Sequence, residues 1–322
     1  MGIRRDARRT LMNWQRPFLL YLESLLLPTN DGEIYTVKNP WILTRKSGTL
    51  RFSDGFNIYF TEETKSDVMM IAAFALRHCV HFRNATSSME QDREYWILDP
   101  STRTFRTPTG ITFRWTYFDP TIFAETYLYD IHFVDFDLRG KTIIEAGAFV
   151  GDTALYYASR GAHVYSFEAD PDIYAQLLDN LSLNPELAPR IVPTHAALGA
   201  DGLVEFPAEA HGRGSLYTLS HKRIRVKSMS IKSILETFKI KNPFLLHLDI
   251  KGSEFKVIEE EEISAFSRIR IEYTCNSSMG MIGRRQSLLE KLREYGFKHI
   301  RIFKHSWGKY DLETLGTIEA SK

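Results

Sequence analysis

Residues 141–168 hold an order of residue types that few chain geometries accommodate. The apolar run Thr142-Ile-Ile ends on Glu145, passes Gly147 and Gly151, and leads into the helix-forming Asp152-Thr-Ala-Leu-Tyr-Tyr-Ala158. A second run, Ala162-His-Val-Tyr-Ser-Phe167, follows and ends on Glu168. Strand, glycine turn, helix, strand and acid in that order specify a parallel βαβ unit, whose ligands bind beyond the carboxyl ends of the strands. Glycine lets a backbone approach a ligand closely, and an acid ending the second strand accepts hydrogen bonds from two ribose hydroxyls.

The glycine spacing separates candidate ligands. A dinucleotide site uses G-x-G-x-x-G and rests a pyrophosphate on a helix N-terminus. Here the pattern is E-x-G-x-x-x-G, with Glu145 before the turn and Asp152 after it. Carboxylates on both sides repel a pyrophosphate and suit the ammonium of an amino acid joined to adenosine. The spacing therefore favours S-adenosyl-L-methionine over NAD. Tight strand–helix packing also accounts for two glycines in one turn; Glu168, in the βαβ frame, tips the reading toward a nucleoside site.

The chain's 322 residues leave room for one large domain or two modest ones. A net charge of +1 disfavours nucleic acid or an anionic membrane as the partner of the whole chain. Cys79 and Cys275 lie far apart without metal-ligand spacing, which fits a reducing, cytoplasmic compartment. The apolar run 11–27 is interrupted by Gln15, Arg16, Pro17 and Glu23, too broken for a signal segment or a membrane span. The run 68–76 has the length of a buried core helix.

Residues 1–118 read as a small α+β region of unspecified role: short strands over 33–60, a helix over 63–82, a polar loop over 83–93, and strands at 95–98 and 110–117. Residues 119–322 alternate regularly. Strands are expected at 142–146, 162–167, 190–196, 202–206, 223–230, 244–250 and 268–274. Helices are expected at 151–160, 171–183, up to 238, from 253, and at 284–295. Such alternation specifies a doubly wound, mostly parallel α/β sheet. The final strands, 297–303 and 311–318, have no helix between them and predict an antiparallel hairpin at one edge.

A family resemblance emerges from segments taken in sequence order: Ile144-Glu-Ala-Gly-Ala-Phe-Val-Gly-Asp152, Phe167-Glu-Ala-Asp-Pro171, Asn184, His195-Ala-Ala-Leu198, Gly214-Ser-Leu216 and Leu248-Asp-Ile-Lys-Gly-Ser-Glu254. Together with Ile122–Tyr127 and Ile269–Tyr273, they resemble the FkbM-like class I methyltransferases. The resemblance implies a seven-stranded Rossmann-like sheet with its last strand antiparallel. It also implies bound S-adenosyl-L-methionine and methyl transfer, usually to an oxygen of a small molecule or glycan. Three positions depart from the family pattern: Glu145 for a common Asp, Phe149 for a common Asn, and Lys251 within Asp249-Ile-Lys-Gly252, where Asp-x-Glu-Gly is usual.

Under this reading Glu145, Gly147, Ala148, Gly151, Asp152, Glu168 and Ala169 hold the cofactor, and His195 and Ala196 flank the adenine. Asp249 is the first choice to take the acceptor's proton, Glu272 the second, and His247 shares Asp249's strand face two residues away. Lys251, Glu254 and Glu125 are placed toward the acceptor; for Glu254 a favourable charge at a helix start is preferred to a catalytic role. The ammonium of Lys251 among Asp249, Glu254 and Glu272 argues for a metal-free site. Basic runs at 222–227 and 284–285 read as solvated faces, with RNA methylation the minority alternative. A non-catalytic cofactor-binding module is the other, and the oligomeric state is left open. The glycine-rich stretch 211–216 is expected as a loop over the acceptor or a hairpin tip.

Overall fold

A computed structural model describes residues 18, 21–22, 35–85, 95–132, 135–208, 222–275, 283–304 and 312–322. The basic, apolar N-terminal stretch and the glycine-rich stretch 211–216 therefore lie outside, or almost entirely outside, the described residues. The chain divides into two compact units, residues 1–133 and 134–322.

In the first unit, β1 (Gly48–Arg51) and β2 (Asn57–Phe60) form an antiparallel pair. Helix α1 (Lys65–His78) follows, with the apolar run 68–76 almost wholly buried, and ends at Cys79 in the left-handed region (φ 52°). Strand β3 (Phe82–Asn84) pairs in parallel with β4 (Trp96–Asp99), and β5 (Thr104–Arg106) and β6 (Thr112–Arg114) continue as a meander. The expected loop from residue 83 thus begins inside a three-residue strand, too short to leave a periodicity in sequence.

Helix α2 (Pro120–Tyr127) opens with Asp119 accepting from the N–H groups of Thr121 and Ile122. Its Phe123 ring packs edge-on against Phe105 and Phe113, at centroid distances of 5.2 and 4.8 Å. That aromatic contact draws 119–127 into the first unit, so the division falls at 133/134 where sequence drew it at 118/119. Among the described residues, no helix is long and apolar enough to cross a membrane.

The second unit is built on seven strands. In chain order they are β7 (Thr142–Ala146), β8 (His163–Glu168), β9 (Ile191–His195), β13 (Pro243–Leu248), β14 (Arg268–Thr274), β15 (His299–Phe303) and β16 (Leu315–Ser321). Their order across the sheet is β15-β16-β14-β13-β7-β8-β9. All pairs are parallel except those of β16, which runs antiparallel to β14 and β15. This is the seven-stranded, mostly parallel sheet that the resemblance implies, with the expected antiparallel hairpin at its edge.

Helix α3 (Asp152–Ser159) links β7 to β8, and α4 (Pro171–Ser182) links β8 to β9. Asp170 caps α4 by accepting from the N–H groups of Asp172 and Ile173, and Pro171 supplies the preset first-turn φ. Strands β10 (Ala197–Leu198), β11 (Gly202–Pro207) and β12 (Arg223–Met229) form a small side sheet, followed by α5 (Ile231–Thr237). The helix expected from Ser253 is a single turn, α6 (Glu254–Val257), succeeded by a 3-10 turn at Glu261–Ala265; α7 (Arg285–Glu294) precedes β15.

Strand alternation gives the sheet two unlike faces. One carries Ile144, Leu246, Leu248, Ile269 and Ile271 into a core shared with Ile231 and Ile234 of α5, Val257 of α6 and Leu288 and Leu292 of α7. Each such buried side chain contributes about 1.5–3 kcal/mol of apolar transfer. The other face carries a polar row in register: Ser166, Glu145, His247, Arg270 and Glu319, one per strand and all buried. Glu319 closes that row by pairing with Arg268 (3.3 Å) and Arg301 (3.1 Å). The next row toward the carboxyl ends is where the acids of the candidate site emerge.

Candidate active site

Strands β7, β8 and β9 step away from β7 in one direction, and β13 sits on its other side. The order reverses between β7 and β13, which is where open α/β sheets bind their ligands. At that crest Gly147 (φ +85°) meets the backbone of Asp249 so closely that a Cβ on Gly147 would overlap the Asp249 carbonyl oxygen. The Asp249 N–H donates to the Ala146 carbonyl at 3.0 Å, and the N–H groups of Gly147 and Ala148 both donate to the Phe167 carbonyl, at 3.0 and 3.1 Å. Only glycine satisfies both the left-handed backbone and the close approach.

Past the crest, Gly151 (φ +84°) turns the chain into α3, and a Cβ there would lie 3.3 Å from Leu177 Cγ. The buried Asn180 of α4 donates from Nδ2 to the Val150 carbonyl at 2.9 Å, tying the turn to the helix behind it. Sequence reasoning missed Asn180. Its signal was a polar residue in helical phase with the apolar stripe Ile173, Leu177 and Leu181. Phe149 is left-handed (φ 47°), and its N–H donates to Glu168 Oε2 at 2.9 Å. The main chain of Phe149 thus reaches Glu168 whatever side chain stands there.

The acids gather around this turn. Glu145 is 1% exposed; its Oε2 accepts from the Ser166 hydroxyl at 2.7 Å, while its Oε1 has no hydrogen-bond partner. Burial, reinforced by Asp152, Glu168 and Asp249, lifts its carboxyl to about 8. Glu168 is buried at the end of β8, with Oε1 taking the Asp170 N–H at 2.8 Å. Burial raises its carboxyl to about 7 against the pull of those backbone N–H groups and of the Lys251 charge. Asp152 is buried at the first position of α3. Asp249 is partly exposed, yet its Oδ1 is buried without a partner.

Glu254 departs from the acceptor role given to it. It is fully buried, with Oε2 accepting from the Gly252 N–H at 2.6 Å and Oε1 from the Thr274 N–H at 3.1 Å. Burial raises it to about 7. It braces the loop after β13 against the end of β14, across consecutive positive-φ residues Lys251 (47°) and Gly252 (105°). Lys251 is partly exposed in that loop, and its charge reaches Glu168.

His247 is 5% exposed beside Glu145 in the polar row, with Nδ1 at 3.4 Å from the Tyr157 hydroxyl. It lies one row below the crest, where Asp249 stands. Since Leu248 pairs with Ile271, Asp249, just past the end of β13, comes level with Glu272, which lies two residues inside the end of β14 rather than at it. His195 is exposed at the end of β9. Its Nε2 lies 3.2 Å from the Ala169 carbonyl, and its ring stacks on Tyr174 at 5.2 Å. Ala196 is buried, its N–H donating to the Glu168 carbonyl at 3.1 Å. Ala169, His195 and Ala196 are thus brought together beside Glu168. Glu125 lies in α2 of the first unit.

The family model of the Methyltransferase FkbM domain matches residues 145–303. No curated protein matches the chain. Methyltransferase FkbM from Methylobacillus flagellatus KT is similar at 16% identity, over 58% of this chain and 45% of that one, with a TM-score of 0.40. The SAM-dependent O-methyltransferase of Thermotoga maritima is similar at 16% identity, over 61% and 63%, with a TM-score of 0.37. Precorrin-6y C5,15-methyltransferase from Geobacter metallireducens GS-15 is similar at 12% identity, over 57% and 82%, with a TM-score of 0.33.

Proposed function

Residues 145–303 form an FkbM-type class I methyltransferase domain, and on that premise we propose that the protein uses S-adenosyl-L-methionine to methylate a hydroxyl of a small molecule or glycan. The observation that carries the reading is the pair of buried, unpartnered carboxylate oxygens, Glu145 Oε1 and Asp249 Oδ1, on the two strands that meet at Gly147. Buried polar atoms are rarely left without partners. A ligand bearing a charged N–H donor satisfies the first, and an acceptor hydroxyl satisfies the second.

The donor set fits the cofactor. Glu145 and Asp152 suit its ammonium, Glu168 retains lone pairs for the ribose diol, and Ala169, His195 and Ala196 border the adenine. The cofactor supplies a methyl group on a sulfonium, already a good leaving group. The protein's task is chiefly alignment, which recovers roughly 7–11 kcal/mol of barrier in well-oriented reactions. Asp249, with an unpartnered oxygen at the crest, accepts the proton from the acceptor hydroxyl, and Glu272 is the alternate base in the same row. His247, buried one row back on Tyr157, supports that row. Lys251 stands on the loop beside Asp249, where it orients the acceptor.

Calorimetric titration with S-adenosyl-L-methionine tests this reading. Glu168→Ala removes the ribose acceptor, and charge-assisted hydrogen bonds contribute about 1.5–3 kcal/mol each. Affinity therefore falls by at least tenfold, with the far-UV spectrum retained. Unchanged binding removes Glu168 from the site.

A further inference from the structure

Glu145 stands in surroundings that oppose its charge. It is 1% exposed, holds a single hydrogen bond for two oxygens, and is reached by no salt bridge among the described residues. From β8 it faces the Ser166 hydroxyl and Glu168. From α3 it faces Asp152 and, deeper, Tyr157; from β13 it faces His247 beside it and Asp249 beyond. Arg270 stands one strand further, across His247. Three acids repel a negative charge on Glu145, and one hydroxyl favours it.

An isolated buried carboxylate is costly, and such a group takes up a proton instead. The Ser166 hydroxyl donates to Oε2, so the proton of the neutral acid belongs on Oε1, the oxygen that otherwise has no partner. This arrangement is stable only until a cation arrives.

We infer that Glu145 admits the cofactor's ammonium in exchange for a proton: the empty site holds a neutral carboxylic acid, and the loaded site a carboxylate paired with the ammonium. The inference rests on the cofactor reading above. On loading, the O–H bond at Oε1 breaks, its electron pair stays on the oxygen to accept an ammonium N–H, and the proton leaves to solvent. Glu145 thereby becomes a selectivity element. A ligand that carries adenosine but no ammonium has nothing to exchange for the proton, and gains nothing from the acid cluster.

The measurement is proton release on binding, read by calorimetry in phosphate and imidazole buffers between pH 6 and 7. S-adenosyl-L-methionine is the ligand, with 5′-methylthioadenosine as the form lacking the amino-acid end. In this range the α-amino group of the first remains charged, its ordinary value being about 7.7–8.0. Glu168, held at about 7, contributes to both ligands because both carry the ribose. The difference between the ligands therefore reports Glu145. The expected difference is about one proton at pH 7, with an extra rise in affinity of roughly tenfold from pH 6 to 7 for S-adenosyl-L-methionine alone.

Glu145→Gln keeps the uncharged shape and abolishes the difference, while its retained binding of 5′-methylthioadenosine shows that the site has folded. Equal proton release by both ligands, or a difference that survives in Glu145→Gln, overturns the exchange and leaves the cofactor reading in place. Absence of any S-adenosyl-L-methionine binding overturns both.

Discussion

Gly147→Ala is the sharpest test of the crest, because its cost divides into two parts that a second glycine separates. Gly147 has φ +85°, and an added Cβ would overlap the carbonyl of Asp249. The left-handed backbone costs an alanine about 1–2 kcal/mol. Relieving the overlap requires the ends of β7 and β13 to part, which sacrifices the hydrogen bond from the Asp249 N–H to the Ala146 carbonyl, a further loss of about 1 kcal/mol. The total is about 2–3 kcal/mol. Gly296 has nearly the same backbone, φ +84°, but nothing lies within 4 Å of its would-be Cβ. Gly296→Ala should therefore cost only about 1–2 kcal/mol. Urea unfolding followed by far-UV circular dichroism, with unchanged slopes, gives both values. S-adenosyl-L-methionine affinity should drop in Gly147→Ala alone. Equal destabilisation in the two proteins, or intact affinity in Gly147→Ala, would refute the close approach as the reason for glycine at 147.

Two more outcomes follow from the same geometry. Asp249→Asn removes the proposed base while preserving shape, so turnover on an accepted hydroxyl, measured as S-adenosylhomocysteine release, should fall roughly 10²–10⁴-fold, with cofactor affinity changing much less; matching activity in both proteins would dismiss Asp249 as base. The buried carboxyls Glu145 (about 8), Glu168 (about 7) and Glu254 (about 7) are raised by burial above an unfolded value of about 4.3. The folded protein then binds more protons than the unfolded one, so their contribution is full below about pH 4.3 and is lost as pH climbs through about 7–8. The urea midpoint should decline across that window, and less steeply in Glu254→Gln; a midpoint that rises with pH would contradict the burial argument.

Much of the second unit was legible in sequence because its determinants are local. Short apolar runs marked the strands, their alternation with helices marked the parallel sheet, and the missing helix before the last strand marked the hairpin. The crest was legible for the same reason: Glu145, Gly147, Gly151 and Glu168 occupy fixed offsets within one βαβ unit. What escaped were groups whose partners are main-chain atoms delivered by topology. Glu254 reads as an ordinary helix-start acid, and only the pairing of β13 with β14 brings the Thr274 N–H to it. Phe149 reads as a lost polar group, although its backbone N–H reaches Glu168 whatever its side chain. The first unit runs past 118 because the Phe123 ring of α2 packs on Phe105 and Phe113, a tertiary contact that leaves no pattern in the sequence.

Strand β16 lies between β14 and β15, and its seven residues supply the ladder for both. Assembly of this sheet therefore cannot follow the order of synthesis. Until residues 315–321 leave the ribosome, β14 keeps an open row of N–H and C=O groups, and β15 has nothing to zip against. Such an unsatisfied margin is a template for stray pairing with another chain. The nascent unit's most vulnerable interval is thus its last, and one late insertion closes the gap on both sides.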